Sequence, residues 1–202
     1  MNKGFTLIEI LIVLAVTVLI SSYVISYSKV GQNQVALEIE TQKIANLILA
    51  AKAAAVATLD TPERQSARTA QGRIICGYGF EITYSDPASY RIFSYEPQAA
   101  TCTNINPIRP QDRFSIPSGL LPSPSAVVSA NVLLNEKPCS VTPCDALHVV
   151  LFVPPNPETL LSRNGKGALP PTRERDLRVY LETADGSAKK IITVTQSGQV
   201  DF

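Results

Sequence analysis

Histidine and charge are both scarce in this sequence. Among 202 residues there is one histidine, His148, and charged side chains make up 17% of the chain. One imidazole excludes a metal centre built on several histidines. The nearest set of donors, Cys139, Cys144 and His148, lacks a fourth ligand and the C-x2-C spacing of common zinc sites. No Gly-x-Ser-x-Gly or other nucleophile signature accompanies His148, so the nucleophile, base and orienter of a hydrolytic triad have no candidates. Asn164-Gly165-Lys166-Gly167 lacks the spacing of a phosphate loop and reads as a turn. The expectation is a chain that is not an enzyme, with no catalytic residue, no metal and no cofactor. Charge of one sign is also missing: 18 Lys+Arg offset 17 Asp+Glu to a net +1, so the overall balance does not point to nucleic acid.

What is present begins with a long uncharged run. From Ile10 to Ser28 no residue carries a charge, a stretch of 19 residues. At about 1.5 Å per residue a helix of that length covers roughly 30 Å, the thickness of a bilayer core. Tyr23 and Tyr27, one turn apart near its far end, and then Lys29 suit the passage into the headgroup layer. Lys3 and the amino terminus favour the cytoplasmic side, which places the bulk of the chain, with all four cysteines, in an exported and oxidising compartment.

Glu9 is the anomaly. A carboxylate within an apolar membrane helix costs on the order of 3 kcal/mol at mid-membrane, and such acids generally have partners. Cleavage after Gly4 would make Phe5 a new N-terminus, and the amine of one subunit would then neutralise Glu9 of its neighbour and fix the register between packed helices. Three plainer readings compete. A secretory signal would carry its charges before the run and a small-x-small site after it, which Ser26-Tyr27-Ser28 only just supplies, and Glu9 inside the run argues against it. A simple anchor accounts for the length but not for Gly4-Phe5-Thr6-Leu7-Ile8-Glu9, and a buried core helix has no need of so long an uncharged stretch.

The run Lys3-Gly4-Phe5-Thr6-Leu7-Ile8-Glu9, followed by Ile10-Leu11-Ile12-Val13-Leu14-Ala15, resembles the leader and N-terminal helix of type IV prepilins and type II secretion pseudopilins. The resemblance implies cleavage between Gly4 and Phe5 by a prepilin peptidase, N-methylation of Phe5, and entry into a helical filament through Glu9. It also implies other pilin or pseudopilin subunits, an inner-membrane assembly platform and membrane lipid as partners. Residues 1–4 are then a leader, 5–28 the membrane and assembly helix, 29–60 its amphipathic extension and 61–202 a periplasmic domain. In the extension, Leu37, Ile44, Leu47, Ile48, Ala51 and Ala55 share one helical face, which reads as the face that packs on the domain. Gly31 loosens the join between span and domain, and Asp60, Thr61 and Pro62 end the helix.

Beyond residue 70 the pattern turns to strands: Gly72 to Tyr84 and Ser89 to Tyr95 as a hairpin, Ala126 to Leu134, Ala146 to Val153, a second hairpin through Leu177, Asp185-Gly186 and Lys189 to Thr195, and a short strand at Gln199 to Phe202. A long helix followed by antiparallel strands makes an α+β fold. Twelve of the 15 prolines fall between Pro107 and Pro171, so loops are expected at 105–125 and 154–172. Four cysteines allow three connectivities, and local pairing favours Cys76 with Cys102 and Cys139 with Cys144.

The order of Gly77-Tyr78-Gly79-Phe80, Val149-Val150-Leu151-Phe152-Val153-Pro154 and the closing Lys190 to Val200 segment resembles the H-type minor pseudopilins and their FimT-like relatives. The long proline-rich middle departs from that pattern, and Ser26 stands where many major pilins carry a helix-bending proline. The resemblance implies a minor subunit that assists protein secretion or fibre initiation. The alternative it carries is capture of extracellular DNA for transformation. From Cys144 to Phe202 seven basic residues face seven acidic ones, so DNA capture requires folding to segregate them.

Overall fold

The computed structural model describes residues 7–57, 74–85, 87–97, 102, 108, 110–116, 125–135, 146–154, 158–162 and 176–202. A long α-helix, α1, runs unbroken from Leu7 to Ala57, through Gly31, where an added Cβ would meet nothing within 4 Å. The expected stop at Asp60, Thr61 and Pro62 falls outside the described residues.

The two halves of α1 differ because their surroundings differ. Its first half is exposed on every side, whereas Leu37, Thr41, Ile44, Ile48, Ala51 and Ala55 are buried in the second. Spacings of three and four put these on one stripe, and the small residues at its far end let the sheets approach the helix closely. Of the expected stripe, Leu47 is only partly buried, packed at its margin.

Two antiparallel sheets face this stripe. The first joins β1 (Gly77–Thr83), β2 (Ser89–Tyr95), β3 (Arg113–Ser115), β4 (Ser125–Val127), β6 (Val149–Val153) and β7 (Glu158–Ser162) in the order β3-β2-β1-β6-β7, with β4 also paired to β2. The second runs β10-β9-β8-β5, from β5 (Val132–Asn135), β8 (Asp176–Thr183), β9 (Lys189–Thr195) and β10 (Val200–Asp201). Alternation along β8 buries Leu177, Val179 and Leu181, which join Val150, Phe152, Phe80 and the helix stripe in one core. The first sheet has a second apolar layer on its far side, built from Cys76, Phe93, Tyr95, Ile108, Val149 and Leu151.

The single strand expected over Ala126 to Leu134 is corrected. Ala126 pairs with Tyr90 in the first sheet and Val132 with Thr183 in the second, so the chain changes sheets between them. Ser129-Ala130-Asn131 makes the turn, closed by the Val132 amide donating to the Ser129 carbonyl at 2.9 Å. Short strands also occur inside the proline-rich ranges, β3 beside β2 and β7 beside β6. Their own sequences contain no proline, and the sheet edge supplies the partner that makes them strands.

Two glycines of β1 are dictated by close approach. A Cβ on Gly79 would lie 2.5 Å from the Val150 carbonyl oxygen and 2.5 Å from the Phe93 ring. One on Gly77 would lie 2.6 Å from the Phe152 carbonyl oxygen. The sequence Gly77-Tyr78-Gly79-Phe80 thus puts its aromatics on the core side and leaves the opposite side bare for Phe93 and Leu151 to fill.

Candidate assembly helix and its junction with the domain

Of the functional residues singled out in the sequence, Glu9 lies on the exposed half of α1. Glu9 lies in its first turn, between Ile8 and Ile10, which are 65% and 53% exposed. Every residue from Leu7 to Gln32 is exposed, and none of the most apolar 18-residue window is buried. A helix that displays leucine, isoleucine and valine all round requires an apolar surrounding, and its length is enough to cross a membrane. Four of its hydroxyls are satisfied within the helix: Thr17 donates to the Leu14 carbonyl, Ser21 to Thr17, Ser22 to Leu19 and Ser26 to Ser22, at 2.7 to 3.1 Å. Such back-bonding removes the penalty of an unpaired hydroxyl in hydrocarbon.

Polar contacts then fasten the helix to the domain. At the near end Asn33 Nδ2 donates to Asp185 Oδ2 at 2.8 Å, reaching the tip of the β8 to β9 hairpin, where Gly186 takes the positive φ the turn needs. Ser187, Thr183 and Asn33 together hold the Asp185 carboxyl well below the usual carboxylate range. One turn on, Lys190 lies 3.0 Å from Glu38 and lowers its pKa, with help from Gln42. At the far end Lys52 Nζ donates to the Gly198 carbonyl at 2.9 Å.

Between these ties is a contact that sequence reasoning missed. Glu40 is 1% exposed and accepts a 2.6 Å hydrogen bond from the Tyr90 hydroxyl of β2. Burial, followed by the Glu40 carboxylate beside it, pushes the Tyr90 phenol upward. The signal was present in the sequence as an acid lying between Leu37 and Ile44 on the apolar stripe. A second unforeseen group is Glu81, which accepts from Arg91 Nε and, at 3.0 Å, from Arg113 Nη1, across three adjacent strands.

Among the cysteines, Cys76 and Cys102 are bonded across 26 positions, with Cα atoms 5.3 Å apart, in agreement with the expected local pairing. Cys139, Cys144, Gly4 and Phe5 lie outside the described residues. His148 is partly buried with its ring 4.9 Å from Tyr84, and its amide donates to the Ser162 carbonyl, so it stands in the sheet framework. Among the described residues no group of three or more His, Cys, Asp or Glu is placed to hold a metal ion.

The family model for the prokaryotic N-terminal methylation motif matches residues 1–25, a stretch that takes in Gly4, Phe5, Glu9 and most of the uncharged run. That motif supports a type IV pilin-like or pseudopilin chain. Neither the curated proteins nor the solved structures compared with it give a match. For a pilin-like chain the motif implies processing by a prepilin peptidase and assembly with other pilins, and with the apolar helix it points to anchoring in a membrane. The long helix with antiparallel sheets is the α+β layout consistent with a pilin fold. Residues 26–202 lie beyond the match.

Proposed function

We propose that the chain is a minor pilin or pseudopilin subunit, of the H-type kind, that enters a type II secretion or type IV pilus filament through α1 and assists protein secretion or fibre initiation. It acts by assembly and carries out no catalysis. The observation that supports this most is Glu9, an acid set one turn after the Gly4-Phe5 junction in a helix that is otherwise uncharged to Ser28 and exposed throughout. In a bilayer, that carboxylate is stabilised by a cation, and the amine freed at Phe5 of an adjacent subunit is the nearest one the motif provides. The domain lies on the periplasmic side, since the short flank holding Lys3 stays inside.

The DNA-capture reading gains nothing from the described charges. Arg91 and Arg113 lie on Glu81, Lys189 on Glu182, Lys190 on Glu38 and Lys43 on Glu40. Phosphate contact draws on clustered, uncompensated positive charge. A gel shift of the chain with DNA at low salt should show no retention, and salt-sensitive retention would restore that reading.

The test of the proposal is Glu9→Val. The variant should insert in the membrane and be cleaved to begin at Phe5, yet fail to enter filaments, as read by N-terminal sequencing and by fractionation of sheared fibres. Wild-type incorporation of Glu9→Val, or a mature wild-type protein that begins elsewhere, overturns it.

A further inference from the structure

The second half of α1 carries large apolar side chains on two opposite faces, and only one of them meets the sheets. On the other, Val35, Ile39, Leu49 and Val56 are 59%, 47%, 44% and 60% exposed. These lie above the membrane exit near residue 28, where lipid no longer accounts for their exposure. With Gln42, Asn46 and Ala53, also exposed, they occupy positions 35, 39, 42, 46, 49, 53 and 56, stepping by four and three without a break. That is a heptad seam, the pattern by which one helix packs along another. It contains no charged residue, and it lies directly opposite the buried stripe.

We propose that this face pairs with the same face of a second copy of the chain, forming a parallel, in-register two-stranded coiled coil over Val35–Val56 outside the bilayer. The inference rests on the pilin-like reading for its geometry: two copies anchored by the same end run parallel, and spans held in one bilayer start level. Four features favour a second copy. Ile39 is β-branched at the a position and Leu49 occupies d, the combination that favours two strands. Asn46 falls at a, where asparagine pairs with its counterpart and specifies register. Ala36 and Ala50, both half-buried, flank the seam and leave room for close approach. Glu38 and Lys43 flank it at g and e, five residues apart, so in a parallel pair each Glu38 faces Lys43 of the other copy on both sides. In the single chain those side chains lie 3.0 Å from Lys190 and 3.4 Å from Glu40, yet remain 45% and 56% exposed, within reach of a neighbour.

The test is cysteine crosslinking of the full chain in membranes of a host without other filament genes. Ile39→Cys, Asn46→Cys and Leu49→Cys probe the seam, and exposed Gln34→Cys, at an outward position, is the control. Mild oxidation should give disulfide-linked homodimers at all three seam positions, roughly tenfold more than at Gln34, given that a and d positions face each other across the pair. The yield should be unchanged in a Glu9→Val background, which separates seam pairing from filament entry. Placing Asn46→Asp beside Ile39→Cys should lower the yield about tenfold at neutral pH, since two buried like charges would meet. Equal crosslinking at Gln34, adducts with another protein, or loss of crosslinks with Glu9→Val overturns the pairing. If the pairing fails while the mature chain begins at Phe5 and enters fibres, the pilin-like reading stands.

Discussion

Tyr90 and Glu40 illustrate how single residues fix the helix against the sheets. A carboxylate that is 1% exposed loses its hydration, and the Tyr90 hydroxyl replaces part of it at 2.6 Å. Tyr90→Phe leaves a buried acceptor with one partner fewer and should destabilise the domain by about 1 to 3 kcal/mol in urea or thermal unfolding. The pH dependence follows from the raised phenol. The unfolded chain releases the Tyr90 proton near the ordinary value of about 10, while the folded chain holds it. The stabilisation is therefore complete below pH 10 and declines as pH rises above it toward the folded value. Unfolding followed between pH 8 and 11 should show this decline in the wild type and a smaller one in Tyr90→Phe. An identical alkaline loss in both would remove the assignment.

At the scale of the element, β1 shows how tightly the strand order depends on two residues. It lies between β2 and β6 and carries core on both faces, so Gly79 faces the Phe93 ring with no space for a methyl group. Gly79→Ala forces the ring or the β6 backbone to shift and should cost about 1 to 3 kcal/mol, read as a lower unfolding midpoint. An unchanged midpoint would mean the outer layer is loosely packed. The alternation in β8 and β9 and the turn at Asp185-Gly186 were legible in the sequence, because a half-buried hairpin writes its period of two into the chain. The split of Ala126 to Leu134 into β4 and β5 was not. Both pieces are apolar, and what separates them is which sheet each one meets. The strands β3 and β7 were hidden for the same reason, since three and five residues between proline-rich loops acquire strand geometry only from the edge beside them.

For the whole molecule, topology and covalent chemistry are linked. The Cys76 to Cys102 bond persists only where the compartment is oxidising, so its presence in protein taken from cells reports export of the domain. With the two cysteines 26 positions apart, losing the bond should lower stability by about 3 to 4 kcal/mol on the chain-entropy model. The double variant Cys76→Ser with Cys102→Ser, compared with wild type by unfolding, measures this. Thiol labelling of envelope protein that finds Cys76 and Cys102 free would contradict the exported topology.

The sequence by itself determined the class of the molecule and its most telling residue. A charge-free run long enough for a bilayer, a glycine before a phenylalanine and an acid one turn later are local signals, and no tertiary contact is needed to give them meaning. Tertiary structure alone decided that the strands divide into two sheets, that Glu40 meets Tyr90 and that Glu81 meets two arginines. It also left open the stripe of α1 through Val35, Ile39, Leu49 and Val56, on the side away from the sheets. These depend on residues distant in the chain, joined by burial and pairing, and a linear pattern carries the propensity for such contacts without naming the partner.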